Sequence, residues 1–295
     1  MIKTSEGIFA IEAKGPYRIG RANDWLHFSE IVQSVLSNSE HQIFRGQRQD
    51  NWQLTSTFSR LADDLDLDIE QHYLLRSKLF EEFKYAARGR RGPSPAELDD
   101  KGWWALGQHH GLATPLLDWT VSPFVAAYFA FMEEDGPEQT EYRSVFVLNK
   151  TKVQETVENF FTEETRHRLN LRAKIEAGED VGDLAPFFAS RPVEKDLEIF
   201  RPLSDENHRL INQGGLFTYL SLWDSIEDWI QHRFKPNTRD YDELNILVRI
   251  DIPNSERETC LKALNQMNIN HLTLFPDLDG ASKYCNINAS IRDYS

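Results

Sequence analysis

A chain of 295 residues, 40% apolar and 12% aromatic, carries enough hydrophobic side chain for a substantial core and is not disordered by composition. Its net charge of -14 excludes a surface that grips nucleic acid nonspecifically all over, because that grip comes from counterion release by many Lys and Arg. Cys260 and Cys285 offer neither a metal spacing nor a disulfide framework, no signal peptide is read at Met1-Ile2-Lys3-Thr4, and no apolar run reaches the length of a membrane span, so the expectation is a cytoplasmic protein with no membrane association.

Residues 1–20 are polar and show no clear period. From Asn23, Trp25, Phe28, Ile31, Val32, Val35 and Leu36 recur on one helical face, with Asn23 or Asp24 available as a cap. A strand over residues 41–44 ends in Arg45-Gly46-Gln47. There glycine permits close backbone approach to a bound group, and the guanidinium can grip a phosphate or carboxylate as a fork. Arg45 thus has two readings, phosphate recognition or a structural ion pair with Asp118. Residues 52–57 read as a short strand or extended loop, and 69–88 as an amphipathic helix with Tyr73, Leu74, Leu79, Phe80 and Phe83 inward. The dense basic cluster Arg88-Gly89-Arg90-Arg91-Gly92 reads as a solvated loop. Residues 96–108 are predicted helical, with Trp103 and Trp104 packing in the core.

The stretch 107–131 sets polar, reactive side chains in an apolar segment and has one charge, Asp118. A carboxylate between Leu117 and Trp119 is costly to bury alone, so Asp118 is expected to be buried against Arg45 and to hold local backbone amides. A short buried strand over 114–117 is expected to turn, through Asp118, Trp119 and Thr120, into a helix that Ser122 caps and Pro123 opens. Such a junction presents backbone amides to an anion, and Trp119 is assigned to the pocket it makes. The helix is apolar nearly all round, from Phe124 to Phe131, so it should run through the core. Adjacent helical residues point about 100° apart, so His109 and His110 are not read as a metal pair and no metal is expected. His110, before Gly111, is the histidine expected to bond a substrate.

Downstream come an acidic turn over 133–141, a buried strand over 144–148, and a charged helical insertion or lid at about 150–195. Residues 207–220 read as a short helix, a Gly214-Gly215 turn and a strand, followed by a helix over 226–234. Leu244, Ile246, Val248, Ile250 and Ile252 alternate as a strand with one face packed, and Ser255 with Glu258 reads as a capping box. A strand over 271–275 and a loop over 276–280 close the pattern. With no regular βαβ repeat the fold class is α+β, one domain over 1–295 with a central mixed or antiparallel sheet of short strands and surrounding helices.

Phe44-Arg45-Gly46-Gln47, the run from Gln108 to Ala130, and Arg209 followed by Gln213-Gly214-Gly215-Leu216-Phe217-Thr218 together resemble the FRG domain family of bacterial proteins, and Leu274-Phe275-Pro276-Asp277-Leu278-Asp279-Gly280 fits the same family. The order of parts is also similar to the ADP-ribosyltransferase fold. That resemblance implies NAD as substrate and a transferase or NAD-cleaving activity. It further implies an effector in toxin or antiphage defence, acting on an unknown protein or nucleic-acid target, with an antitoxin or regulatory partner. Arg45 takes the position that holds the NAD phosphates or ribose. Trp119-Thr120-Val121-Ser122 takes that of the hydroxyl motif, for which Thr55-Ser56-Thr57 competes. Gln213 stands where those enzymes have a glutamate; it can bond a ribose hydroxyl but cannot act as a base, so Asp118 would supply the charge. The set so implied is Arg45, Asp118 and Gln213 as catalytic residues, converging from three distant stretches, with Gly46, Gln47, His110, Thr114, Trp119, Thr120 and Ser122 holding NAD. The other reading is a non-catalytic module that senses a nucleotide or phosphorylated ligand.

Overall fold

The computed structural model describes residues 11–14, 17–35, 39–136, 139–182, 193, 195–202, 208–221, 224–234 and 246–294. Asn207 and Leu244, assigned above to a helix and a strand, lie outside them. An antiparallel pair, β1 (Ile11–Lys14) and β2 (Tyr17–Arg21), stands where the sequence shows no period. Next comes α1 (Trp25–Val35), which buries Trp25, Phe28, Ile31 and Val32 as their spacing predicts. The strand β3 (Gln42–Gln47) runs through the Arg45-Gly46 pair, and three helices follow: α2 (Thr57–Asp64), α3 (Ile69–Ala86) and α4 (Asp100–His109). Then come β4 (Leu116–Thr120), α5 (Pro123–Phe131), β5 (Tyr142–Asn149), α6 (Lys150–Glu176) and β6 (Leu197–Phe200). The remainder is α7 (His208–Asn212), β7 (Gly215–Leu220), α8 (Ile226–Arg233), β8 (Leu247–Pro253), α9 (Arg257–Gln266), α10 (His271–Leu274) and α11 (Leu278–Ser290).

The strands form one sheet of eight in the order β1-β2-β8-β5-β3-β4-β7-β6, in which β2 and β8 run parallel and the other neighbours antiparallel. This is a mixed α+β fold with helices on both faces. On one face Phe44, Val145, Val147, Val248 and Ile250 pack under α1, α5 and α9; on the other Ile43, Phe146, Leu148 and Leu247 meet Val153 and Val157 of α6 and Trp229 of α8. α5 is the central piece: Ser122 accepts the Val125 N–H, Pro123 occupies the first turn, and Val125, Ala126, Ala127, Tyr128, Ala130 and Phe131 are buried. Among the described residues no helix is long and apolar enough to cross a membrane.

Several local expectations are corrected. Of the two readings of residues 52–57 the loop holds up to Ser56, with a lone bridge from Thr55 to Ser225, and Ser56 caps α2 by accepting the Ser59 N–H. The strand expected over 114–117 lies at Leu116–Thr120, because β7 pairs with all five of these residues while Thr114 is tied to Thr57. β8 is buried on both faces, since it lies between β2 and β5 beneath helices on either side. Ser255 and Glu258 make no capping box: Asn254–Glu256 form a 3-10 turn, and Glu256 accepts the Trp25 N–H. Residues 271–275 are helical because Asn270 and Thr273 form a reciprocal cap at the start of α10, and Asp277 in the supposed loop caps α11. Leu74 points outward, and Arg76 is the buried residue of α3 instead. The charged segment after residue 150 is helical as expected, its described part being chiefly one helix of 27 residues anchored by Val153 and Val157.

One buried acid makes the fold sensitive to pH. Both carboxylate oxygens of Glu227 face the Leu54 N–H, at 3.1 and 3.0 Å, and burial pushes its pKa up to about 7. A folded pKa above the unfolded value means the folded state holds the proton more tightly. Stability is therefore greatest below the unfolded pKa and falls as pH rises towards about 7, by about 3 kcal/mol in all. Glu227→Gln, which keeps an acceptor for Leu54, is expected to flatten this fall when urea midpoints are compared at about pH 5 and about pH 8. Equal pH dependence in the two proteins would assign the effect elsewhere.

Candidate functional site

The sheet is nearly divided at its middle. β3 forms a six-pair ladder with β5, and β4 a five-pair ladder with β7, but β3 and β4 meet only at Phe44 and Thr120. Beyond that pair the strands part, and a cavity of about 460 Å³ opens at the gap, within the roughly 300–1,000 Å³ common for small-molecule sites. Gly46 makes the geometry possible. A Cβ there would lie 1.9 Å from the Ala126 carbonyl oxygen and 2.6 Å from the Ala130 nitrogen, so β3 rests directly on the backbone of α5. The close approach expected at this glycine is made to a helix.

Arg45 bridges the gap. Its Nη1 donates to the Asp118 carbonyl at 2.7 Å and lies 3.8 Å from Asp118 Oδ2, so a guanidinium stands where the ladder has parted. Burial lowers the Arg45 pKa, with Asp118 opposing and Arg60 adding to the effect, yet a guanidinium stays charged. Its Nε is buried and has no hydrogen-bond partner among the described residues. Asp118, expected to be buried, has a side chain 60% exposed to the cavity, because the strands separate on its side. Its carboxylate is held by Gln108 Nε2 at 2.9 Å rather than by local backbone amides. The Thr114 hydroxyl donates to Gln108 Oε1 and so sets which end of that amide faces Asp118. Thr114 is in turn gripped by Thr57, which accepts its N–H at 2.9 Å and donates to its carbonyl at 3.2 Å.

The opposite wall carries a second guanidinium. Arg209 donates through Nε to Asp277 Oδ2 at 2.7 Å and lies over the Phe275 ring at 5.5 Å. Asp277 is held below the usual carboxylate range by the Gly280 N–H it accepts as a cap and by Arg209. His109 also lines the cavity, and burial, with help from His110 and Arg209, lowers its pKa and favours the neutral imidazole. Phe129, Phe217 and Phe275 add aromatic surface.

Arg45, Asp118 and Gln213 all line this cavity, as do Gly46, Trp119 and Thr120. Gln213 is nonetheless committed to the framework: its Nε2 donates to the Leu274 carbonyl at 3.1 Å, and its own carbonyl accepts the Thr120 hydroxyl at 2.7 Å. Trp119 is 3% exposed with its indole N–H on Thr218, so most of its ring belongs to the core. Four expected ligand-binding residues fall outside the lining. Gln47 is buried and donates to the Gln53 carbonyl, Ser122 caps α5, and Thr114 orients Gln108 from behind. His110 is exposed at the end of α4, so the helix phase brings His109 to the cavity in its place. Of the residues not assigned to the site from sequence, Gln108 and Arg209 were both within quoted motifs. Thr57, the last residue of the competing Thr55-Ser56-Thr57 match, also lines the cavity. Among the described residues no group of three or more His, Cys, Asp or Glu side chains could hold a metal ion.

No curated protein and no solved structure matches the chain. A family model does match, that of the FRG domain, over residues 40–139. The matched stretch begins at the turn before β3 and ends after α5, and so contains Arg45, Gly46, Gln108, Asp118 and Thr120, whereas Arg209, Gln213 and Phe275 lie beyond it. By this match residues 40–139 are similar to an FRG domain, and the Arg45, Gly46, Gln108, Asp118 and Thr120 walls of the cavity fall inside the similar stretch.

Proposed function

We propose that the cavity binds NAD and that the chain cleaves its glycosidic bond, passing ADP-ribose to an acceptor or to water, with Asp118 in the part that Gln213 cannot play. The observation that carries this reading is the exposed Asp118 carboxylate, oriented by Gln108, in a cavity whose walls present Arg45 and Arg209. In the reaction the bond from ribose C1′ to the nicotinamide nitrogen breaks, the bonding pair leaves with nicotinamide, and positive charge develops on the ribose. A carboxylate facing C1′ stabilises that charge and takes the proton of the attacking nucleophile, help worth about 10²–10⁴-fold when well placed. The guanidiniums suit the two phosphates, and the Phe129 and Phe275 rings suit a flat heterocycle. A chain that drained NAD or blocked an essential target would be toxic to the cell holding it, which is the sense in which the reading extends to a toxin or antiphage effector.

A binding module without catalysis is favoured by one feature: the Gln213 amide is engaged with Leu274, and the position has no carboxylate. Calorimetric titration with NAD, followed by chromatography for free nicotinamide, separates the readings. Binding with release is expected. Binding without release would support the sensing module, and neither would remove both.

A further inference from the structure

α3 ends at Ala86 and α4 begins at Asp100, and the chain between them turns through Gly89 and Gly92 in the left-handed region, at φ 71° and 82°. Arg88, Gly89, Arg90 and Gly92 are exposed, as a solvated loop requires, while Arg91 is half-buried against Trp103 of α4. Lys84, Arg88, Gly89, Arg91, Gly92 and Trp103 surround a hollow of about 370 Å³, and no carboxylate is among the described residues that line it. The Arg91 guanidinium lies over the Trp103 ring at 4.8 Å and donates to the Ala96 carbonyl at 2.7 Å. Arg88 lies over the ring of Tyr85, 5.1 Å away, and Tyr85 is 70% exposed. Arg90 donates through Nε to the Ala86 carbonyl at 3.0 Å. The solvated-loop expectation omits this arrangement of cations alternating with rings around a concavity.

We infer that this hollow and the exposed surface beside it dock a single-stranded nucleic acid, its phosphates against Lys84, Arg88 and Arg91 of the lining and the exposed Arg90 of the same run, and its unpaired bases against the Arg91–Trp103 stack in the hollow and the exposed Arg88–Tyr85 stack outside it. Charge argues for a polyanion here: on a chain of net charge -14 this cluster attracts one while the acidic remainder repels it, which fixes one orientation. The rings argue for bases, because stacking on aromatic and guanidinium planes is how unpaired bases are held without regard to sequence. Shape argues against a lipid surface, since Trp103 is recessed in a hollow instead of projecting as an anchor. The docking site does not depend on the NAD reading. It lies close to the candidate cavity, as α4 runs from Trp103 to Gln108 over about 8 Å at ~1.5 Å per residue.

The test is fluorescence anisotropy of a labelled single-stranded oligonucleotide of mixed sequence with the full chain, across a salt series. Binding is expected at low salt, with log Kd rising against log salt at a slope of about 3, at ~0.7 per phosphate neutralised by four cations. The combined variant Arg88→Ala, Arg90→Ala, Arg91→Ala removes exposed or half-exposed side chains; it should stay folded, melting somewhat lower for the loss of the Ala86, Ala96 and Trp103 contacts, bind at least about tenfold more weakly, and show a slope of about 1. Tyr85→Ala should weaken binding severalfold with the slope unchanged, and Arg45→Ala should bind as the parent does. The inference is overturned by any of three results: no binding at about 50 mM salt, wild-type affinity and slope in the triple variant, or a duplex bound as well as the single strand with Tyr85→Ala neutral. Sedimentation with phosphatidylserine vesicles in place of oligonucleotide binding would overturn it in favour of a membrane.

Discussion

Gly46→Ala is expected to cost more than about 3 kcal/mol, a large part of the ~5–15 kcal/mol by which a domain is stable. The added methyl meets backbone on its near side, the Ala126 oxygen at 1.9 Å and the Ala130 nitrogen at 2.6 Å, where real Cβ contacts essentially never fall below 3.0 Å. No rotamer change can relieve such a contact, so either α5 or β3 must move. Neither can do so freely: Ala126, Ala127, Tyr128 and Phe131 are fully buried on α5, and β3 is locked to β5 along its length. Gly111→Ala provides the comparison, because Gly111 has φ 82° but open space around its Cβ, and should show only the strain of the left-handed region, about 1–2 kcal/mol. Urea midpoints of the two variants measure the difference. A Gly46→Ala protein no less stable than Gly111→Ala would show that α5 does not rest on β3 as described.

Asp118→Asn is expected to lower nicotinamide release by about 10²–10⁴-fold while leaving the melting temperature close to that of the parent. The substitution is nearly isosteric, the side chain is 60% exposed, and its loose pairing with Arg45 at 3.8 Å stabilises the fold by about 1 kcal/mol at most. Arg45→Ala is expected to lose activity as well, and also to melt lower. Its guanidinium is largely enclosed and supplies the bond to the Asp118 carbonyl across the gap, so about 1–3 kcal/mol goes with it. The order of the two melts is the reverse of what the sequence alone suggests, where a carboxylate between Leu117 and Trp119 reads as the buried partner. Calorimetric melts beside the release assay decide it. Full turnover in Asp118→Asn would remove the carboxylate from the mechanism, and a collapsed Asp118→Asn would make it structural.

Local physics was legible where it acted within a few residues. The Ser122-Pro123 start, the apolar run after it, the helical period of α1 and the pairing of Arg45 with Asp118 all follow from neighbouring side chains and simple charge balance. Helix phase was harder: His109 and His110 are adjacent, and only the docking of α4 on Leu116 and Phe217 determines which one faces inward. The 271–275 stretch alternates enough to look like a strand, yet the Asn270–Thr273 cap decides in favour of helix. Least legible was the parting of β3 and β4. It arises from two ladders with distant partners, β5 and β7, and with it come the exposure of Asp118 and the cavity itself.

That parting bears on how freely the site can change in sequence. A slip of one residue in an ordinary sheet turns every side chain of a strand to the wrong face, so a substitution that disturbs the pairing of two neighbours endangers both. Here the registers of β3 and β4 are set independently, six pairs on one side and five on the other, with a single pair between them. Side chains facing the gap can grow, shrink or change charge without asking either ladder to shift. The tolerance of the lining to substitution is thereby separated from that of the scaffold, in which Gly46 and α5 are the fixed parts.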